Sequence, residues 1–170
     1  MPFLSSLSRR AIASAWRLVL ALSCFGPLLS AQDETLALDY MPPAHAEIVS
    51  EQMPDASVIE GGIRFLELEK GEGPFIENGD RVEAIYTGTL LDGTVFNRKT
   101  GRFHTYRFEV GAEPREIIRG WEMAMPYMQN GGRYKIAIPS QFAYREKGRP
   151  GQVPPFSTVV FEITILDVKR

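Results

Sequence analysis

The sequence predicts an α+β fold, an antiparallel sheet packed on one short helix. Two observations carry the sheet. Short runs alternate apolar with polar residues, best over 80–91, 133–138 and 158–168, the period-two pattern of strands with one buried face. The runs are joined by turns and loops rather than in βαβ order, which argues against a doubly wound nucleotide-binding sheet. The third observation is a single helical segment in the globular part, residues 116 to about 125. Pro126 limits it, because an interior proline loses a backbone hydrogen bond and clashes with the preceding turn.

Taken from the N-terminus, Arg9, Arg10 and Arg17 accompany an apolar run over 18–25, Pro27 breaks it, and Leu29-Ser30-Ala31 ends on a small residue. This is the layout of a secretory signal peptide over 1–31, and the apolar run is short for a membrane span. The competing readings are an N-terminal anchor that stays attached, a twin-arginine signal at Ser8-Arg9-Arg10, and lipid attachment at Cys24, ahead of which the usual leucine sits one place late. The expected destination is the periplasm or the exterior, with membrane contact only if this segment is retained or lipidated.

Residues 32–57 read as an acidic, mostly unfolded leader. Residues 32–63 contain seven acids and no Lys or Arg, and Met41-Pro42-Pro43 and Met53-Pro54-Asp55 interrupt any helix. The alternative is a partner-binding arm. The segment is too short and broken for a long dimerising helix, so a monomer is expected.

The globular domain is placed at 58–170. Ile63, Phe65 and Leu68 suggest a first strand, and Gly71-Glu72-Gly73-Pro74 a turn. Val82, Ala84 and Tyr86 share one face of the next strand. Asp92-Gly93 marks a hairpin turn before Val95-Phe96. A polar, basic loop over 98–104 separates that segment from a short strand over 106–110. After the helix, Tyr134, Ile136 and Ile138 share a face. Gly148, Pro150, Gly151, Pro154 and Pro155 make 140–157 a long loop, and Val159, Phe161, Ile163 and Ile165 face one way in the last strand.

Composition narrows function by exclusion. A hydrophobic fraction of 44% suffices for a core, and a net charge of -2 argues against a strongly basic nucleic-acid binder. Cleavage after Ala31 would remove three of the 19 basic residues and none of the 21 acids, leaving -5. It would also remove Cys24, the only cysteine, and with it any disulfide or thiol mechanism. His45 and His104 show no metal-ligand spacing, and no phosphate loop is present, so neither metal nor cofactor is expected. What remains is Glu116-Ile117-Ile118-Arg119-Gly120-Trp121, a tryptophan at the start of a short helix, with aromatics on several other segments. Such residues are ordinary core material, but they can also wall an apolar pocket for a neutral, bulky group such as proline.

Tyr86-Thr87-Gly88, Leu91-Asp92-Gly93, Phe96-Asn97, Val110-Gly111, the 117–122 segment, Ala143-Tyr144, Gly148-Arg149-Pro150-Gly151, Val153-Pro154-Pro155 and Val160-Phe161-Glu162 together resemble an FKBP-type peptidyl-prolyl cis-trans isomerase. The resemblance covers roughly 60–170. It implies a five-stranded antiparallel half-barrel wrapped around the short helix, with a pocket between them for proline-containing polypeptides and macrolide inhibitors. Carried over by position, Trp121 is the pocket floor, and Tyr86, Phe96, Tyr106, Val153 and Phe161 are its walls. Ile117 and Ile118 offer backbone groups, and the Tyr144 phenol hydrogen-bonds a substrate carbonyl. The catalytic set so implied is Tyr86, Asn97, Tyr144 and Trp121.

Three positions depart from the family pattern. Asn97 stands where an Asp normally accepts hydrogen bonds from a tyrosine and an arginine, here Tyr86 and Arg102, so the network loses a charge. Arg145 replaces a Gly after Tyr144, and Gln152 replaces an apolar residue at the rim. The expected function is an isomerase for X-Pro bonds in folding exported chains. The alternative is a non-catalytic proline-binding chaperone or interaction module, which Asn97 favours. A basic set, Arg98, Lys99, Arg102, Arg107, Arg145, Lys147 and Arg149, reads first as solvated surface and otherwise as a device for steering acidic clients or holding the acidic leader.

Overall fold

The computed structural model describes residues 39–170 apart from Arg102. The signal-peptide reading of 1–31, the lipidation reading of Cys24, the first part of the leader and the Arg102 assignment lie outside the described residues.

Period-two alternation becomes one large antiparallel sheet. Its strands are β1 (Ser57–Ile59), β2 (Ile63–Glu69), β4 (Arg81–Leu90), β5 (Val95–Lys99), β6 (Tyr106–Glu109), β8 (Arg133–Ile138) and β9 (Val159–Lys169), while β3 (Glu72–Phe75) and β7 (Gln129–Asn130) pair separately as a ribbon. The order is β1-β2-β8-β9-β4-β5, with β6 also on β4. Strand β5 pairs with Tyr86–Thr89 of β4 and β6 with Arg81–Ala84. They therefore occupy one lane interrupted by the 100–105 loop. The sheet has the five lanes of the expected half-barrel, with β1 added at the edge of β2.

The buried face of β4 carries Val82, Ala84, Tyr86 and Gly88, as its alternation predicts. On this side lies helix α2 (Arg119–Ala124), which buries Gly120, Trp121 and Ala124. The helix is shorter than the 116–125 expected. Glu116–Ile118 run outside it, Ile118 being an extended N-cap at φ -65 and ψ 148, and Met125–Tyr127 tighten into a 3-10 turn that accommodates Pro126 in its first positions. Gly120 lets the helix lie directly on β8, since a Cβ there would collide with the Ile138 side chain.

The opposite face corrects the leader assignment. Residues 43–52, expected to be unfolded, form helix α1 (Pro43–Gln52). The prolines bracket the helix rather than prevent it. Pro43 is its first residue, where a missing N–H costs nothing, and Pro54 follows the C-cap Met53. Met41, Val49 and Met53 are buried against Ala137 of β8 and Val160 of β9, two residues that alternation alone would turn to solvent. Polar ties complete the docking. His45 Nδ1 and Thr158 Oγ1 lie 2.9 Å apart, and Gln52 donates to the Leu91 carbonyl. At the helix entry, Arg64 pairs with Asp39 at 2.7 Å. The sheet is thus a middle layer, with α1 on one side and α2 with the main core on the other.

Candidate functional site: an aromatic cavity between helix and sheet

Trp121 projects from the first turn of α2 toward the sheet and is 3% exposed. Around it the rings meet edge to face: Tyr86 at 5.1 Å and 86°, Phe161 at 5.3 Å and 89°, and Phe108 at 5.7 Å. Edge-to-face pairs are worth about 0.5–1.5 kcal/mol each beyond their buried area, so the lattice holds the rings in fixed positions. The indole Nε1 is buried and is left without a hydrogen-bond partner among the described residues.

Above the indole lies a cavity of ≈ 190 Å³ lined by Tyr86, Asn97, Tyr106, Glu116, Ile117, Ile118, Trp121, Tyr144, Arg149 and Phe161. A cavity of about 150 Å³ accommodates a benzene ring, so the space matches a single pyrrolidine ring with its amide. Its floor and walls are aromatic, and its polar groups sit at the edge. The Tyr106 phenol donates to the Glu116 carbonyl at 2.7 Å, and the Glu116 carboxylate accepts the Glu109 N–H at 2.9 Å. These two bonds pin the extended segment ahead of α2 along one side of the cavity. Neither Ile117 nor Ile118 donates its N–H to a backbone carbonyl among the described residues, whereas the Ile118 carbonyl accepts from Trp121. Among the described residues, two amide donors are therefore left without a partner beside an apolar floor.

The Tyr86 phenol and the Asn97 side chain line the same cavity. Burial, reinforced by the neighbouring phenols of Tyr106 and Tyr144, pushes Tyr86 above the usual tyrosine value against the smaller opposing effects of Arg149 and Asn97. Burial, with Glu116 and Tyr144 nearby, likewise raises Tyr106. Both stay neutral donors at physiological pH. Arg149 lies 5.5 Å over the Tyr144 ring.

Eight of the eleven residues assigned from sequence line this cavity. Phe96 and Val153 do not. Phe96 stands behind the wall, edge-on to Tyr144 at 5.9 Å and to Phe161 at 5.6 Å, and Val153 is packed in the core at 3% exposure. Two lining residues were not assigned. Glu116 opens the helix-start motif, and its main-chain role has no sequence signature. Arg149 lies inside the quoted loop motif but was grouped with surface cations. Arg145 adopts φ 54, so it keeps the left-handed backbone that a Gly would supply, and Gln152 is exposed. A larger depression of ≈ 540 Å³ lies outside the core between β4, β6 and β9, but its lining is dominated by ion-paired side chains such as Arg107 with Glu83. No group of three or more potential metal ligands occurs among the described residues.

With this geometry in view, comparison with known proteins is informative. The family model described as FKBP-type peptidyl-prolyl cis-trans isomerase matches residues 73–166. Over 109 residues the chain is 38% identical to the FKBP-type 22 kDa peptidyl-prolyl cis-trans isomerase of Escherichia coli, covering 64% of this chain and 51% of that protein. It is 34% identical to FK506-binding protein 1 of Saccharomyces cerevisiae, covering 66% of this chain and 98% of the relative. The chain thus spans about half of the bacterial relative and nearly all of the yeast one. Among solved structures, a peptidyl-prolyl cis-trans isomerase from Pseudomonas syringae superposes with a TM-score of 0.65 at 28% identity, covering 83% of this chain and 98% of the other. FkpA from Escherichia coli gives the same TM-score and identity, covering 81% of this chain and 62% of that one.

Proposed function

The chain belongs to the FKBP-type peptidyl-prolyl cis-trans isomerases, and from that premise we propose that it accelerates X-Pro isomerisation in folding, exported polypeptides. The observation that carries this reading is the ring-sized aromatic cavity over Trp121, flanked by the Ile117 and Ile118 amides and by neutral phenols.

The chemistry asked of the site is modest. Rotation about a peptide bond faces a barrier of about 18–20 kcal/mol because resonance gives the C–N bond double-bond character. Uncatalysed X-Pro exchange takes roughly 10–100 s. No bond breaks, so the catalyst need only bind the twisted amide better than either planar isomer. Twisting ends the resonance and lowers the carbonyl dipole, which an apolar cavity favours. The proline ring sits on Trp121 between Tyr86, Tyr106 and Phe161. The Ile117 and Ile118 amides and the Tyr144 phenol fix the flanking carbonyls. A preference of about 7 kcal/mol for the twisted state corresponds to roughly 10⁵-fold acceleration.

Export would place this activity where secreted chains fold, and the N-terminal residues 1–31 have the composition of the signal that would take it there. A macrolide inhibitor would occupy the same cavity. The second reading, a proline-binding chaperone or interaction module of little turnover, is favoured by Asn97, which puts a neutral amide in the cavity lining with Tyr86 in place of a carboxylate. A peptide isomerisation assay with a macrolide control separates the two. Macrolide-sensitive turnover above background supports the enzyme. Inactive wild type alongside an active Asn97→Asp variant supports the module.

A further inference from the structure

The proline cavity does not end at Tyr144. A second depression of ≈ 430 Å³ shares Ile117, Ile118 and Tyr144 with it and extends along the 141–147 loop. Its further lining is cationic: Arg115, Arg119, Arg145 and Lys147, against the single acid Glu146.

The pairing of these cations separates structural from available charge. Arg115 is bound to Glu122. Arg119 lies 5.4 Å over the Phe142 ring and Arg145 donates to the Gln141 carbonyl, so both are positioned, but neither meets a carboxylate among the described residues. Lys147 is exposed and likewise without an ionic partner there. By contrast, Arg107 in the basic set read from sequence is neutralised by a two-pronged bond to Glu83. Arg98, Lys99 and Arg149 also meet no carboxylate among the described residues, but Arg119, Arg145 and Lys147 are the cations that line a concave surface continuous with the proline site.

We infer that this groove is a specificity subsite that selects substrates with Asp or Glu close to the isomerised proline, with Arg145 and Lys147 as the specificity-determining residues. The inference rests on the proline-binding reading above. A chain leaving the cavity past Tyr144 advances about 3.3–3.6 Å per residue when extended, which puts one to three flanking residues against the 145–147 turn. Exposed ion pairs contribute individually little, so the effect is a graded preference rather than an on-off requirement.

Two measurements on peptides differing only in the flanking residues, Glu, Leu or Lys scanned over three positions on each side of the proline, test it. The first is kcat/KM for isomerisation, and the second is peptide affinity by fluorescence polarisation. On one flank, Glu peptides should exceed Lys peptides roughly three- to tenfold in both. The advantage should vanish near 1 M salt, where the screening length is about 3 Å. The double variant Arg145→Glu/Lys147→Glu should invert the Glu-to-Lys ratio, and Lys147→Glu alone, at an ordinary exposed position, should at least halve it. Equal affinities for Glu and Lys peptides, or a preference that survives charge reversal, overturn the subsite. Absence of turnover on every peptide overturns the isomerase reading instead, and the affinity ratio then still decides the subsite.

Discussion

At the scale of single residues, the site is defined by how little room its rings have. Gly88 of β4 faces Phe161 and Phe96, and a Cβ there would lie 2.8 Å from Phe161 Cε1 and 2.9 Å from Phe96 Cζ. Gly88→Ala must displace one of the rings that form or back the cavity wall. Overpacking of this kind costs about 1–3 kcal/mol, and here it also narrows the cavity. The variant should unfold at lower denaturant and lose at least tenfold in kcat/KM, and a stability loss with unchanged kcat/KM would show that the wall tolerates the shift. Tyr86 supplies a pH test. Burial, ahead of its phenol neighbours, raises its pKa above the ordinary 10.0, and Tyr106 and Tyr134 are raised with burial again the first cause. The folded state then holds these protons more tightly than the unfolded chain. The stabilisation is complete below pH 10.0 and is lost as pH rises through the folded values. Thermal stability should start to fall above that pH. Phenolate absorbance of the native protein should lag behind that of the denatured chain, and coincident titration curves would contradict the assignment.

Helices and strands differ in how openly the chain declares them. The core faces of β4, β8 and β9 follow from alternation alone, and the helix carrying Trp121 from its proline limit. Helix α1 was hidden for a physical reason. Its seal on the sheet uses Val49 with Met41 and Met53, which lie outside the helix, so no 3.6-residue apolar stripe exists to be seen. Its prolines read as breakers although they mark the ends. Burial of both faces of β8 and β9, through Ala137 and Val160, was the remaining clue. The candidate site was legible to the extent that side chains build it, as with Tyr86, Tyr144 and Trp121. Glu116 contributes by pinning the main chain, through its carbonyl on the Tyr106 phenol and its carboxylate on the Glu109 N–H, and no residue pattern encodes these bonds. If α1 is part of the domain, Met53→Ala should cost about 2–5 kcal/mol, as for other buried methionines. Removal of residues 39–56 should expose the Ala137–Val160 face and lower the melting temperature with it. A truncated chain of unchanged stability would return this segment to the status of a leader.

For the molecule as a whole, binding and folding are coupled by where the cavity lining originates. Tyr86 comes from β4, Asn97 from β5, Tyr106 from β6, Trp121 from α2, Phe161 from β9, and Tyr144 with Arg149 from the long loop. These segments meet only in the assembled sheet, and no fragment of the chain reproduces the cavity. A macrolide or proline-mimicking ligand that fills it should therefore bind the native state and ignore the unfolded one. At about one hundred times its dissociation constant such a ligand stabilises by about 2.7 kcal/mol. For a domain of this size each kcal/mol moves the melting temperature by about 3–6 °C, so the midpoint should rise by roughly 8–16 °C and climb further with ligand concentration. Trp121→Ala removes the floor and should abolish the shift, whereas Met53→Ala, on the far side of the sheet, should lower the starting midpoint yet keep the ligand-induced rise. Loss of the rise in both variants would mean that the ligand reads global stability rather than this cavity. Its persistence in Trp121→Ala would place the binding site elsewhere.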